Sequence, residues 1–278
     1  MLVTLRDILR IAEAKKCAIG SFNTPNLTTL KAVIAAAEEK QQPVIIMHAQ
    51  VHEEMGICKM DEMAPIMLFM ADRANVPVCV HLDHGEDMNY VKRGLDLGFT
   101  SVMYDGSNLP EELNYANTST IVDIAARYGA SVEAEIGSMG ARESGAGGAG
   151  SSIYTDPQAA ENFVIETGID ALACAFGTAH GVYLKAPKLD FERLAEIKKL
   201  VDIPLVMHGG SGVSHEDYRK VIELGVRKIN YYTYMSKAGG AAVCAMKDQT
   251  FFHEIEVAAI EGMKQDVMSA IDVFSCNK

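Results

Sequence analysis

The sequence predicts an α/β fold of one kind, a closed (β/α)8 barrel, and three observations predict it. Eight short runs of apolar and β-forming residues recur along the chain. Helical patterns separate them at a spacing of roughly 30 residues, as parallel strands with crossover helices require. Polar residues collect where the runs end, which is where barrel enzymes keep their chemistry.

The chain opens, over residues 1–16, on an amphipathic helical pattern with charges throughout and no apolar centre of the signal-peptide kind. The strands are expected at 18–22, 44–48, 78–83, 101–104, 131–136, 171–175, 205–208 and 228–231. Most are continuously apolar rather than alternating, as suits strands buried on both faces. Helices are expected at 27–40, 63–75, 89–97, 111–128, 157–167, 191–201 and 215–224. In the first of these Leu27, Leu30, Val33 and Ile34 share one stripe. Asp156 before Pro157 and Asp190 before Phe191 are N-cap signals; Gly98, Gly129, Gly168 and Gly225 mark helix ends. Residues 251–271 read as an extra helix beyond the barrel. With no linker or composition shift, residues 1–278 are read as a single TIM-barrel domain. An open doubly wound sheet is the structural alternative. It wants a glycine-rich turn after the first strand, which Gly20-Ser21-Phe22-Asn23 does not supply.

Composition removes several function classes. A net charge of -12 repels nucleic acid and anionic lipid. No apolar run approaches the ~20 residues of a membrane span. The six cysteines are scattered without short repeated spacing, so they read as reduced thiols of a cytoplasmic protein. The glycine-rich segment 137–152 follows a strand end and reads as a mobile active-site loop rather than a packed element.

The strand-end residues suggest a metal site. His81-Leu82-Asp83-His84 closes the third expected strand, Asp105 follows the fourth, and Glu133 and Glu135 end the fifth. His180 follows the sixth, and His208-Gly209-Gly210-Ser211-Gly212 closes the seventh. His84, His180 and His208 would form a three-ligand zinc site with an open fourth position for a substrate oxygen. His81 is better placed as a core or supporting residue, and His48, His52, His215 and His253 as ordinary structural or surface histidines. The glycines after His208, the Ser211 hydroxyl and the helix that starts near Ser214 suggest a phosphate cradle, which Asn230 and Thr233 from the eighth strand would complete.

Together these residues resemble the class II, metal-dependent fructose- and tagatose-bisphosphate aldolase family over nearly the whole chain. The resemblance is carried by Gly20–Asn23, His81–Gly85, Ser101–Ser107, Val132–Gly137, Gly177–Gly181 and Leu205–Gly212. It implies a carbon–carbon lyase acting on a sugar phosphate, a homodimer or homotetramer, with one catalytic Zn2+ on His84, His180 and His208. Asp105 and Glu135 would line an alternative or second metal position, and a monovalent cation is compatible with the family. Asp83 would handle the proton on the aldehyde-side oxygen, and Glu143, on the glycine-rich loop, the carbon-bound proton. Asn23 would orient substrate; Gly181, Gly209, Gly210, Ser211, Asn230 and Thr233 would hold the dihydroxyacetone phosphate half. No lysine at an obvious strand end is needed for a Schiff base.

The chain departs from the family's pattern at the other end of the substrate. Ala49 stands where a serine is common, no arginine follows Arg227, and Tyr232 is bulky. Lys237, Lys247 and Lys264 are the candidate replacements for the missing guanidinium. Two readings of these departures stay open: an acceptor aldehyde other than glyceraldehyde 3-phosphate, unphosphorylated or carrying another group, and drift in a paralogue that keeps bisphosphate activity. Two other classes stay open at this stage, a zinc hydrolase or isomerase on the same scaffold and a non-catalytic sugar-phosphate binder.

Overall fold

The computed structural model describes residues 1–137, 154–183, 185–246 and 251–276. In chain order the elements are β1 (Leu2–Val3), α1 (Leu5–Lys15), β2 (Ile19–Asn23), α2 (Leu27–Lys40), β3 (Val44–Ala49), α3 (Gln50–Glu54), α4 (Met60–Arg73), β4 (Val78–Gly85), α5 (Met88–Asp96) and β5 (Ser101–Tyr104). There follow α6 (Glu111–Tyr128), β6 (Ser131–Ile136), α7 (Pro157–Thr167), β7 (Ala171–Cys174), α8 (Phe191–Leu200), β8 (Leu205–Met207), α9 (His215–Glu223), β9 (Val226–Tyr231), α10 (Thr233–Cys244) and α11 (Phe252–Phe274).

Strands β2 to β9 pair in sequence order, all parallel, and β9 pairs back onto β2. The sheet is therefore a closed eight-stranded barrel, and the open doubly wound alternative is excluded. The two-residue β1 adds alongside the start of β4. The expected caps form. Asp156 and Asp190 accept from the N–H of Ala159 and Arg193, and Gly129 and Gly168 end α6 and α7 in the left-handed conformation.

Strand alternation builds two cores. Ala18, Phe22, Val44, Ile46, Val80, Leu82 and Val102 face outward and pack under the helices. Ile19, Ile45, Met47, Cys79, Ala171, Ala173 and Val206 face inward and are plugged from below by Leu5, Ile8, Leu9 and Ala12 of α1. The opening amphipathic helix thus closes the floor of the barrel and leaves only the strand C-termini open.

Three elements were not expected. β1 is too short to carry a periodic pattern, and α3 is one turn and a half. α10 is hidden by Gly239 and Gly240, which are poor helix formers. Its partner explains the first of them: a Cβ on Gly239 would lie 2.7 Å from Met263 of α11, and one on Gly262 would lie 2.6 Å from Ala242. Small residues let these two helices approach closely. Among the described residues no helix is long and apolar enough to cross a membrane.

Candidate active site

The inward faces change character along the barrel axis. Above the apolar floor comes a fully buried polar layer of Ser21, His81, Ser101, Ser131, Glu133 and Lys228. Above that layer, at the mouth, lie Asn23, Asp83, Asp105, Glu135, His208 and Asn230. The β4 strand delivers two adjacent residues to this mouth. His81 and Asp83 share the inward face by alternation, so His84 would be expected to point outward. His84 instead has φ 46°, and the β4–β5 register shifts between Leu82 and Gly85. A left-handed, β-branch-free residue at a bulge re-aims the side chain, and the imidazole turns into the mouth.

His84, His180 and His208 come together there, with one ligand atom from each inside a circle of 4.8 Å. His84 Nε2 and His208 Nδ1 are 2.8 Å apart. The ring plane of His84 is nearly perpendicular to those of His180 and His208, so the imidazoles meet edge to face rather than stacked. His84, Asp105 and Glu135 form a second converging group. The donor set is imidazole nitrogen with nearby carboxylate oxygen, which suits a divalent ion of the zinc type.

The protonation pattern fits a cation site. Burial pushes the His84 imidazole down, but the Asp83 and Asp105 carboxylates outweigh it and raise it to about 10. Burial and repulsion from His84 push His180 down to about 3 and lower His208. His84 Nδ1–H donates to Asp105 Oδ2 at 2.7 Å, and its Nε2–H donates to His208 Nδ1. His208 Nε2–H then donates to Glu133 Oε1 at 2.8 Å. One proton thus sits between the two imidazoles where a cation would be shared.

Asp83 is gripped from both sides. Asn23 Nδ2 donates to its Oδ2 at 2.9 Å, and Asn230 Nδ2 donates to its Oδ1 at 3.0 Å. Burial alone would raise this carboxyl, yet His84, His208 and Lys228 hold it well below the usual carboxylate range. Below it lies a buried ion pair. Lys228 Nζ donates to Glu133 Oε1 at 3.1 Å and to Asn230 Oδ1 at 2.7 Å, with both charged side chains fully buried. Burial would raise Glu133, but Lys228 and His208 bring it down to about 2. The available signal was a lysine within a run expected to be a buried strand, since a buried lysine must be paired. Its Nζ is held by these partners below the mouth.

The remaining expected residues lie around a cavity of about 330 Å³, bounded by Asn23, Asp83, His84, His180, Gly181, Gly209, Ser211, Asn230 and Thr233. Ser211 Oγ accepts from the Tyr232 N–H at 3.0 Å, which leaves its hydroxyl proton to donate. Thr233 opens α10, whose N-terminus has no side-chain cap, so first-turn N–H groups lie at the cavity edge. By contrast, Ser214 caps α9 by accepting from Asp217, so the expected helix start near Ser214 is occupied by its own cap. Gly210 has a different part from the other glycines. Its N–H donates to Asn230 O at 3.0 Å, and a Cβ there would lie 2.7 Å from that oxygen. Tyr183, not singled out in the sequence, ties the loops together: its hydroxyl donates to Gly209 O and accepts from Ala179 N, both at 2.8 Å. Of the candidate lysines, Lys237 lies over the Tyr234 ring and Lys264 pairs with Glu39. Glu143 and Lys247 lie outside the described residues.

Comparison with known proteins gives the same direction throughout. Residues 3–278 match the family model described as Fructose-bisphosphate aldolase class-II. The YdjI aldolase from Escherichia coli K12 is 35% identical, with a TM-score of 0.86 covering 99% of this chain and 97% of that one. A provisionally identified fructose-1,6-bisphosphate aldolase from Coccidioides immitis is 29% identical, with a TM-score of 0.90 over 97% and 95% of the two chains. The fructose-bisphosphate aldolase of Campylobacter jejuni, at 22% identity, shares the fold with a TM-score of 0.81 over 99% and 96%.

Proposed function

The chain belongs to the class II fructose-bisphosphate aldolase family and is an aldolase, a carbon–carbon lyase, and from that premise we propose that it reversibly cleaves a ketose phosphate to dihydroxyacetone phosphate and an aldehyde at a zinc site. One observation carries this reading: the convergence of His84, His180 and His208 within 4.8 Å of one another, beside the doubly held carboxylate of Asp83.

The three imidazoles would hold the ion, and Asp105 and Glu135 would supply an alternative position. When bound, zinc supplies the positive charge that an enediolate on the donor half requires, which is worth several kcal/mol. Every other part belongs to the chain. Asp83, kept anionic by Asn23 and Asn230, takes the proton of the aldehyde-side hydroxyl as the bond breaks and returns it in synthesis, a role worth roughly 10²–10⁴-fold in rate. Glu143 moves the carbon-bound proton of the donor half. Ser211 Oγ and the uncapped first turn of α10 at Thr233 receive the donor phosphate, together with Gly181 and Gly209. Residues 1–278 act as one aldolase unit in the cytoplasm. A homodimer or homotetramer is supported by Phe251, Phe252 and Val257, which are exposed at the start of α11.

The test is aldol cleavage by the zinc-loaded protein of fructose 1,6-bisphosphate, tagatose 1,6-bisphosphate and a set of ketose 1-phosphates. Cleavage that a chelator abolishes and zinc restores is the expected result. Metal-replete protein that cleaves none of them removes the reading.

A further inference from the structure

The cavity has a second face besides Ser211 and Thr233. Its wall is α3 and the residue after it, with Gln50, Val51, Glu54 and Met55 facing the cavity, joined by Glu86 from the end of β4. Gln50 links the Glu54 carboxylate to the Glu86 backbone. Its Nε2 donates to Glu54 Oε1 at 2.7 Å, and its Oε1 accepts from the Glu86 N–H at 2.9 Å. Helix α3 is itself anchored, because Glu53 accepts from the Met60 N–H at 2.8 Å, from Tyr90 at 3.0 Å and from Arg93 at 3.1 Å. The wall is therefore a positioned surface. Ala49, where β3 ends, contributes no hydroxyl, and Tyr232 narrows the remaining space, its ring 5.2 Å from that of the buried His52. Among the described lining residues there is no lysine or arginine.

A phosphate dianion needs N–H donors and positive charge. Two carboxylates on this wall oppose it by like-charge repulsion. Carboxylates instead accept hydrogen bonds from hydroxyl groups, and Val51 and Met55 cover the carbon-bound faces of a sugar chain. We propose that the aldehyde half of the substrate is a neutral hydroxyaldehyde without a phosphate, selected by Glu54 and Glu86 on the Gln50 patch. This rests on the aldolase reading above and specifies its substrate as a ketose carrying phosphate at the donor end only.

The experiment runs the reaction in the synthetic direction, with dihydroxyacetone phosphate as donor. The acceptors are glyceraldehyde 3-phosphate, both enantiomers of glyceraldehyde, and neutral tetroses and pentoses. The expected result is kcat/KM at least about tenfold higher for a neutral hydroxyaldehyde than for glyceraldehyde 3-phosphate, with the ratio narrowed about tenfold in E54Q/E86Q. A wild-type preference for glyceraldehyde 3-phosphate, or a neutral preference that E54Q/E86Q leaves untouched, overturns the assignment while the aldolase reading stands. Condensation with no aldehyde, from a protein that has bound zinc, removes the aldolase reading and this inference with it.

Discussion

The amide of Asn230 has two neighbours of opposite kind, and they decide which way it faces. Lys228 has only protons to give, so it takes Oδ1, and the N–H group is left for Asp83. The same lysine neutralises Glu133, whose carboxylate holds the Nε2–H of His208 and so leaves Nδ1 toward the site. One buried charge thus orients both the proposed acid/base and a proposed metal ligand. K228M leaves Glu133 as an uncompensated buried anion and is expected to cost about 3–5 kcal/mol in denaturant unfolding. Adding E133Q to K228M should recover part of that loss, and a strictly additive double variant would contradict the pairing. A second residue-scale prediction concerns His84, whose folded-state value of about 10 lies above the ordinary 6.5. A raised value means that the proton stabilises the metal-free fold fully below pH 6.5, and that this contribution disappears as pH rises through about 10. Between those limits zinc must displace that proton. Calorimetry in two buffers of different ionisation enthalpy should report release of about one proton from His84, and buffer-independent heats would show that the site is not held this way.

At the scale of elements, the turn from β8 into α9 is set by close approach rather than by ligand contact alone. Gly210 is pinned to the Asn230 carbonyl, where a Cβ would come within 2.7 Å. G210A is expected to lower stability by about 1–3 kcal/mol and to reduce kcat through displacement of Asn230 from Asp83. Unchanged melting and turnover would show that the strand end yields freely. Much at this scale was legible. The capping residues Asp156, Asp190 and Ser214 and the stop glycines Gly129 and Gly168 announce local geometry with local chemistry. Helix α10 was not legible, because its glycines answer to α11 and not to their own chain neighbours. The left-handed turn at His84 was equally hidden, since a histidine carries no signal for it and the cause is the β4–β5 register shift.

At the scale of the molecule, closure of the barrel decides which strand ends meet. The sequence placed Asp83, His84, Asp105, Glu135, His180 and His208 each at the end of an apolar run, and parallel pairing in sequence order carries them to one rim. What it did not reveal is depth: Lys228 and Glu133 look as polar as the residues above them, and only the register puts them one layer lower. In a chain with a net charge of -12, the proposed donor phosphate would rely on backbone and hydroxyl donors within the mouth. Metal that binds only the folded protein must stabilise it. Zinc is therefore expected to raise the melting temperature of the chelated protein, and H180A should lose most of that rise.

Solvent-deuterium exchange into dihydroxyacetone phosphate, followed by NMR with no aldehyde present, isolates the donor half of the proposed reaction. Exchange is expected at the carbon that forms the new bond, abolished by chelation, restored by zinc and lost in E143A. D83A should retain exchange, because the role proposed for Asp83 is at the aldehyde-side oxygen. Metal-replete protein that exchanges no proton, or exchange that survives both chelation and H208A, would contradict the proposed reaction.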